Sequence, residues 1–109
     1  MTSPALFDIA EFEAGAAEVA RVLRALSNER RLMILCKLLE WGEANVTSLG
    51  EAVGLSQSAL SQHLAIMREQ NLLAYRREGQ TLWYRIADPR IERLLATLYD
   101  LYCPSSKAN

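Results

Sequence analysis

Apolar side chains recur at helical spacing through the first half of the chain and predict three helices there. An alanine-rich stretch with interspersed apolar residues predicts the first helix over Ile9–Leu26. The second helix is expected to begin at a Ser27 N-cap, with Glu29 in its first turn, and to end at Gly42. Residues 30–41 are apolar on most sides, which is typical of a helix at the centre of a small domain. A third, short helix is predicted to begin at a Thr47 cap.

The stretch from residue 49 to residue 68 predicts a short helix, a glycine turn and a second helix. Gly54 is expected to end the short helix, because glycine adopts the left-handed conformation there without steric cost. Ser56 follows as an N-cap, and Leu60, Leu64 and Met67 form one apolar stripe on the next helix. The opposite, polar face suits either a recognition helix in a DNA major groove or an ordinary amphipathic helix with a solvated face.

The period changes from helical to alternating after Asn71. Residues 73–78 and 81–86 alternate and flank Gly79-Gln80, which predicts a β-hairpin. Asp88-Pro89 predicts the start of a last helix, with Asp as N-cap and Pro at the first helical position. The apolar stripe of that helix comprises Ile91, Leu95, Leu98 and Tyr102. The predicted fold is mainly α with one β-hairpin: a winged helix-turn-helix in the order helix, helix, helix-turn-helix, hairpin, helix.

An arginine-containing hairpin directly after a helix-turn-helix is typical of a DNA-binding protein. In this arrangement the helix contacts bases, and the hairpin, or wing, contacts phosphates or the minor groove. Glutamine pairs with adenine through two hydrogen bonds, and serine bonds base edges or phosphates. The predicted DNA-binding residues are Ser56, Gln57, Ser58, Ser61, Gln62, His63 and Arg68 on the helix, and Arg76, Arg77 and Gln80 on the hairpin.

Three of these assignments have alternatives. Arg76 and Arg77 would also suit a solvated strand edge. His63 is the only histidine of the chain and flanks the apolar stripe of the recognition helix. We therefore expect His63 to have a structural role with local hydrogen bonds. A contact with DNA is the second interpretation of this residue, and metal ligation is the third.

Length, composition and charge indicate one soluble domain. The chain has 109 residues, of which 50% are hydrophobic. No apolar run reaches membrane-spanning length and no signal peptide is recognised, so we expect a cytoplasmic protein without a membrane partner. The domain is expected over residues 9–104, between disordered tails at 1–8 and 105–109. The net charge is −1, but residues 1–20 contain acids and no Lys or Arg, and positive charge follows the proposed recognition helix.

The apolar stripes of the first and last helices exceed what a domain of this size can cover. A two-fold homodimer through these two helices is therefore expected. It would bind a double-stranded operator with a pseudo-palindromic sequence. The two half-sites of that operator would lie one helical turn of DNA, or a multiple of it, apart.

Three segments together resemble the ArsR-type winged-helix repressors. They are Leu23-Arg24-Ala25-Leu26-Ser27-Asn28-Glu29-Arg30-Arg31-Leu32, Ser56-Gln57-Ser58-Ala59-Leu60-Ser61-Gln62-His63-Leu64 and Tyr75-Arg76-Arg77-Glu78-Gly79-Gln80. The resemblance runs from about Glu18 to Tyr102. It implies a homodimer that represses an operator and releases it when an inducer binds.

Many members of that family sense metals, but the ligand positions do not match here. Residues 46–52 contain no cysteine, and no histidine lies between Pro89 and Cys103. No metal site and no cofactor are therefore expected, although a repressor of the same fold that responds to a metal or small-molecule inducer is kept as the alternative.

The two cysteines are the remaining candidates for chemistry. Cys36 lies in the second helix and Cys103 at the end of the last one, so any meeting of the two is tertiary. Each alone could be a small buried residue or an incidental one. Their placement is similar to that of a thiol- and persulfide-responsive subgroup of the family. That resemblance implies a disulfide or polysulfide bridge formed under oxidants or reactive sulfur species. No acid–base partner accompanies either thiol in sequence, so we expect no enzyme and no catalytic residue.

Overall fold

Five helices and three strands make up the computed structural model, which describes residues 7–103. Their bounds are α1 Ile9–Leu26, α2 Glu29–Trp41, β1 Ala44–Asn45, α3 Val46–Val53, α4 Gln57–Glu69, β2 Leu73–Glu78, β3 Thr81–Ile86 and α5 Pro89–Tyr102. Of the predicted tails, residues 1–6 and 105–109 lie outside the described residues, as does residue 104 at the end of the expected domain. Asp8 caps α1, because its side chain accepts hydrogen bonds from the backbone N–H groups of residues 10 and 11.

Two of the predicted N-caps are wrong. α2 is capped by Asn28 rather than Ser27, and the Asn28 side-chain oxygen accepts a hydrogen bond from the Arg31 N–H at 3.0 Å. α3 is capped by Asn45 rather than Thr47, with a 2.8 Å hydrogen bond from the Ser48 N–H. Both asparagines have the extended backbone of an N-cap and reach the third residue beyond them.

The predicted caps of the other helices are confirmed. Ser56 accepts a hydrogen bond from the Ala59 N–H. Asp88, which precedes the proline at the start of α5, accepts one from the Arg90 N–H. Gly42 ends α2 with a φ of 86°, and Gly54 ends α3 in the left-handed region with a φ of 70°. The turn between α3 and α4 therefore has the glycine that its backbone requires.

The hairpin strands have the predicted bounds, but they belong to a three-stranded antiparallel sheet in the order β1-β3-β2. β2 pairs with β3 from Leu73↔Ile86 at the base to Glu78↔Thr81 beside the turn. β1 adds the pairs Ala44↔Tyr84 and Asn45↔Trp83. This strand was not predicted, because two residues are too few to establish an alternating pattern.

The core lies where α2 packs against α1, α3 and β3. Ile34, Leu35 and Leu38 of α2 are 0–1% exposed, which confirms the predicted central position of this helix. Leu60, Leu64 and Met67 of α4 are equally buried, as their spacing predicted. α4 therefore presents its other face outward.

The two terminal helices leave apolar side chains uncovered within the described residues. α1 exposes Ile9, Phe12, Val19 and Leu23, and α5 exposes Tyr99, Leu101 and Tyr102. A groove of about 230 Å³ between the two helices is lined mainly by apolar side chains of both. Among residues 7–103, no helix combines the length and the hydropathy needed to cross a bilayer.

Candidate nucleic-acid interface

The outward face of α4 carries the polar side chains that the sequence assigned to DNA. Gln57, Ser58, Ser61 and Gln62 are all exposed, whereas the apolar stripe of the same helix faces the core. Ser56 is exposed as well, but its hydroxyl already accepts the Ala59 N–H as the N-cap. The structure therefore brings these five residues together at the N-terminal half of one helix, where unpaired backbone N–H groups also favour a phosphate.

His63 lies at the edge of this face and is bonded within the protein. Its Nδ1 atom is 3.3 Å from an η-nitrogen of Arg31, whose Nε donates to the Ala25 carbonyl at 2.6 Å. Partial burial, followed by the charges of Arg31 and Arg30, lowers the pKa of His63. The imidazole is therefore neutral at pH 7, and its Nδ1 accepts while its Nε2 carries the proton. This geometry agrees with local hydrogen bonding, and a DNA contact by His63 stays a prediction.

The two arginines at the start of α2 join this helix to three others, α1, α3 and α4. The sequence did not indicate this role. Arg30 donates to the Val53 carbonyl at the end of α3 at 2.7 Å, and Arg31 connects the end of α1 to His63 on α4. These bonds satisfy carbonyl groups that a helix end leaves unpaired. The sequence signal that could have found them is the adjacent Arg30-Arg31 pair in the first turn after the Asn28 cap.

Arg76 and Arg77 lie on opposite faces of the wing. The pairing Arg76↔Trp83 puts Arg76 on the outer sheet face, and Arg77↔Leu82 puts its neighbour on the face that continues into the core. Arg76 makes two hydrogen bonds to the Glu43 carboxylate, at 2.8 and 3.2 Å, and its guanidinium lies 5.6 Å from the centre of the Trp83 ring.

The two wing arginines therefore differ in charge compensation. The hydrogen bond from Arg76 lowers the pKa of Glu43, so this carboxylate stays ionised and balances the arginine. Arg77 is exposed, and its side chain makes no ion pair or hydrogen bond with another residue between 7 and 103. Gln80 is exposed at the tip of the hairpin.

Arg68 connects the far end of α4 to the wing. Its guanidinium lies 4.9 Å from the centre of the Tyr75 ring on β2, which is a cation–π distance. Both residues are exposed. The cationic group therefore remains accessible on the wing side of α4.

Cys36 and Cys103 are both exposed, although neighbouring atoms cover part of the Cys36 thiol. This partial burial and, secondly, the charge of Cys103 raise the pKa of Cys36. Cys36 belongs to α2, and Cys103 directly follows the last residue of α5. Within residues 7–103, no three His, Cys, Asp or Glu side chains are grouped as metal ligands.

Comparisons with known proteins agree with this geometry. Residues 28–75 match the family described as bacterial regulatory protein, arsR family. The chain is 40% identical to the transcriptional activator HlyU of Vibrio cholerae over 92% of both chains. It matches the crystal structure of the transcriptional repressor BigR from Xylella fastidiosa with a TM-score of 0.83 and 35% identity, over 89% of this chain and 98% of that one.

A third similar structure is a homodimeric winged helix-turn-helix DNA-binding domain from Mycobacterium bovis. Its TM-score is 0.78 at 32% identity, and the match covers 97% of this chain and 96% of that chain. The family resemblance and the winged-helix fold predicted from the sequence are thereby confirmed. This chain belongs to the ArsR family of bacterial regulatory proteins, and it is a DNA-binding transcriptional regulator rather than an enzyme.

Proposed function

We propose that the protein is a homodimeric repressor whose affinity for operator DNA is switched by oxidation or persulfidation of Cys36 and Cys103. The observation that carries the switch is the placement of two exposed thiols, on α2 and at the end of α5. In addition to partial burial, the charge of Cys103 has an electrostatic effect that raises the pKa of Cys36. Such an effect requires proximity, because the interaction between charged groups weakens with distance and with screening by water. Two thiols from different helices would thus be available to one reaction.

The proposed chemistry is thiol–disulfide exchange with a reactive sulfur species such as hydrogen disulfide. The thiolate of one cysteine attacks a sulfur of this reagent, breaks its S–S bond and forms a protein persulfide, with release of hydrogen sulfide. The second thiolate attacks the inner sulfur of the persulfide and expels another hydrogen sulfide. The two thiols are oxidised to one disulfide, and the reagent takes up the two electrons. Retention of additional sulfur atoms would give a longer polysulfide bridge and relax the distance requirement of a direct disulfide.

The bridge would act on DNA affinity through α2. Cys36 is on this helix, and the first turn of the helix is bonded to the end of α3 through Arg30 and to the recognition helix α4 through Arg31 and His63. Cys103 ends α5, which is a helix of the proposed dimer interface. A covalent bridge between α2 and α5 would therefore change the spacing of the two recognition helices in the dimer.

The exposed apolar side chains of α1 and α5 support dimerisation through these helices. Val19 and Leu23 face the groove together with Ile91 and Leu94, so a second copy would cover apolar surface that one copy leaves in water. The similar domain from Mycobacterium bovis is homodimeric.

BigR supports the proposed direction of regulation, and HlyU supports the role of redox state. BigR of Xylella fastidiosa is a transcriptional repressor, and one similar structure is that of reduced HlyU from Vibrio cholerae, with a TM-score of 0.79. HlyU is itself a transcriptional activator. The relatives thus regulate transcription in both directions, and the proposal that this protein is a repressor follows BigR.

The test begins with a DNA duplex selected from a random library by the reduced protein. Fluorescence anisotropy then measures the affinity before and after treatment with sodium disulfide. We expect the treated wild-type protein to bind at least about tenfold more weakly, which corresponds to about 1.4 kcal/mol. Cys36→Ser and Cys103→Ser should each retain the affinity of the reduced protein and lose the response.

Mass spectrometry of the treated protein identifies the product. A loss of two hydrogens indicates a disulfide, and added sulfur mass that joins the two cysteine peptides indicates a polysulfide bridge. A wild-type response in either serine variant would contradict the switch and favour the small-molecule alternative. Met33→Leu, at another exposed position of α2, is the matched control and should respond like the wild-type protein.

A further inference from the structure

A cleft lined by three arginines lies beside the recognition helix. It has a volume of about 190 Å³, and its walls are Arg21, Arg24 and Ala25 of α1, Arg31 of α2, and Ile66 and Gln70 of α4. The sequence analysis assigned none of these residues to DNA.

The cleft and the wing lie on different flanks of α4. Successive residues of a helix are about 100° apart, so Ile66 and Arg68 point about 200° apart around the axis. Arg68 contacts Tyr75 of the wing, whereas Ile66 faces the cleft. The recognition helix therefore has a cationic surface on each side.

Two of the three cleft arginines have no compensating partner for their side chains in the described part of the chain. The guanidinium groups of Arg21 and Arg24 are exposed and form no hydrogen bond or ion pair with another residue of the range 7–103. They are three positions apart on α1 and so share one face of that helix. Arg31 is fixed at the base of the cleft by its bonds to the Ala25 carbonyl and to His63.

The acidic residues beside the cleft are largely engaged elsewhere. An adjoining cleft of about 160 Å³ contains Arg21 together with Glu18, Glu69, Asp88 and Arg90. The carboxylates of Glu18 and Asp88 pair with Arg90 at 3.1 and 2.8 Å. Glu69 is the remaining acidic residue there. The side chains that line the two clefts therefore have a net positive charge around Arg21 and Arg24.

A helix in the major groove has a phosphate backbone on both sides. The groove is about 12 Å wide and a helix with its side chains is about 10–12 Å in diameter, so both backbones come close to the protein surface that flanks the helix. With α4 in the groove, the wing would face one backbone, and the cationic cleft on the other flank of α4 would face the second.

We propose that Arg21, Arg24 and Arg31 form a second phosphate-binding surface, which contacts the DNA backbone across the major groove from the wing. The inference rests on operator binding through α4. Arg21 and Arg24 supply mobile cationic groups, and Arg31 supplies a fixed one. These contacts contribute affinity without sequence preference, because phosphates are the same at every base pair.

The test measures the salt dependence of DNA binding by Arg21→Gln/Arg24→Gln. The probes are the selected duplex and a mixed-sequence duplex of the same length, titrated by fluorescence anisotropy over a range of potassium chloride concentrations. A dimer loses four cationic groups in this variant. The slope of log affinity against log salt should then become shallower by up to about 3.6, at about 0.9 for each phosphate contact. The weakening should be similar on both duplexes.

Two further variants separate charge from other effects. Arg21→Lys/Arg24→Lys retains the charge and should keep most of the wild-type slope. Lys37→Gln removes the charge of an α2 lysine that is already paired with Glu40 at 3.1 Å, and it should leave the slope unchanged. Sedimentation and circular dichroism verify that each protein is folded and dimeric.

A wild-type slope in folded, dimeric Arg21→Gln/Arg24→Gln would overturn the second phosphate surface and leave operator binding intact. Loss of the slope in the lysine variant would also contradict it, because the charge is still present. If the protein does not bind an operator through α4 at all, the experiment gives a result that differs from both of these. The wild-type protein would then select no duplex, or Gln57→Ala and Ser58→Ala would leave its sequence preference unchanged.

Discussion

At the scale of single residues, His63 reports on the junction between α2 and the recognition helix. Partial burial and the charges of Arg31 and Arg30 lower its pKa, so the folded protein binds a proton there less readily than the unfolded chain. As pH falls through the ordinary histidine range, the unfolded chain takes up the proton first. This group therefore contributes a loss of stability at acidic pH.

We expect an NMR titration of the single histidine to give a pKa below the ordinary value. Arg31→Met should raise that pKa, because it removes a nearby positive charge and the hydrogen-bonding group. Arg93→Met removes an arginine that is not among the causes of the His63 shift, and it should leave the titration unchanged. A titration of Arg31→Met that coincides with that of the wild-type protein would refute the assigned contact.

The two wing arginines should differ in their contribution to DNA binding. Arg77→Gln should make the salt dependence of affinity shallower by up to about 1.8 in the dimer, at about 0.9 for each of two phosphate contacts. Arg76→Gln should have a smaller effect, because Glu43 already compensates that charge. Glu43→Gln should strengthen binding, since it removes the nearer of the two carboxylates that compensate the Arg76 charge, and only Glu78 at 3.7 Å remains. Equal slopes for the two arginine variants, measured by anisotropy, would contradict this difference.

At the scale of elements, sequence pattern was sufficient where many residues repeat one signal. The bounds of α1, β2 and β3 agree with the prediction, because each element has a sustained helical or alternating pattern. The caps were less well determined. Ser27 and Asn28 are adjacent and both suit an N-cap, so only the backbone geometry decides between them.

The candidate site was predictable only in part for a similar reason. Alternation along a strand separates Arg76 from Arg77, but it does not reveal that Glu43 approaches one of them from 33 positions away. The cleft at Arg21 and Arg24 likewise arises from three helices, so no local sequence pattern predicts it. Long-range packing therefore determines which charges are compensated, and composition alone does not.

The corrected cap of α2 has a measurable consequence. Asn28→Ala should lower the free energy of unfolding by about 1 kcal/mol, because an N–H at the start of α2 loses its side-chain acceptor. Ser27→Ala should change it by less than about 0.5 kcal/mol, since Ser27 is exposed and precedes the cap. Urea unfolding followed by circular dichroism measures both. The reverse order of effects would restore the original assignment of Ser27.

At the scale of the whole molecule, the proposed function requires two copies of a domain whose terminal helices leave apolar surface exposed. α1 extends over 18 residues, but only Ala25 and Leu26, at its end, are buried. A helix with this little burial gains most of its packing from a partner. In the proposed dimer, the same interface would set the distance between the two recognition helices, so one set of contacts would determine both stability and operator spacing.

Leu23 offers the sharpest test of that interface, because it is 54% exposed and borders the groove between α1 and α5. Leu23→Glu would place a charge in the dimer contact, where its desolvation is costly. We expect this variant to sediment as a monomer and to bind the selected duplex at least about a hundredfold more weakly, because joint binding of two half-sites is lost.

Leu39→Glu is the matched control, because Leu39 is also an exposed leucine, at 39%, but belongs to α2. It should remain dimeric and bind the duplex like the wild-type protein. If Leu23→Glu stays dimeric with unchanged affinity, the protomers do not associate through α1. A bridge between Cys36 and Cys103 would then join helices within one protomer without reaching the interface. Its effect on DNA would have to pass through the bonds of Arg30 to α3 and of Arg31 to His63.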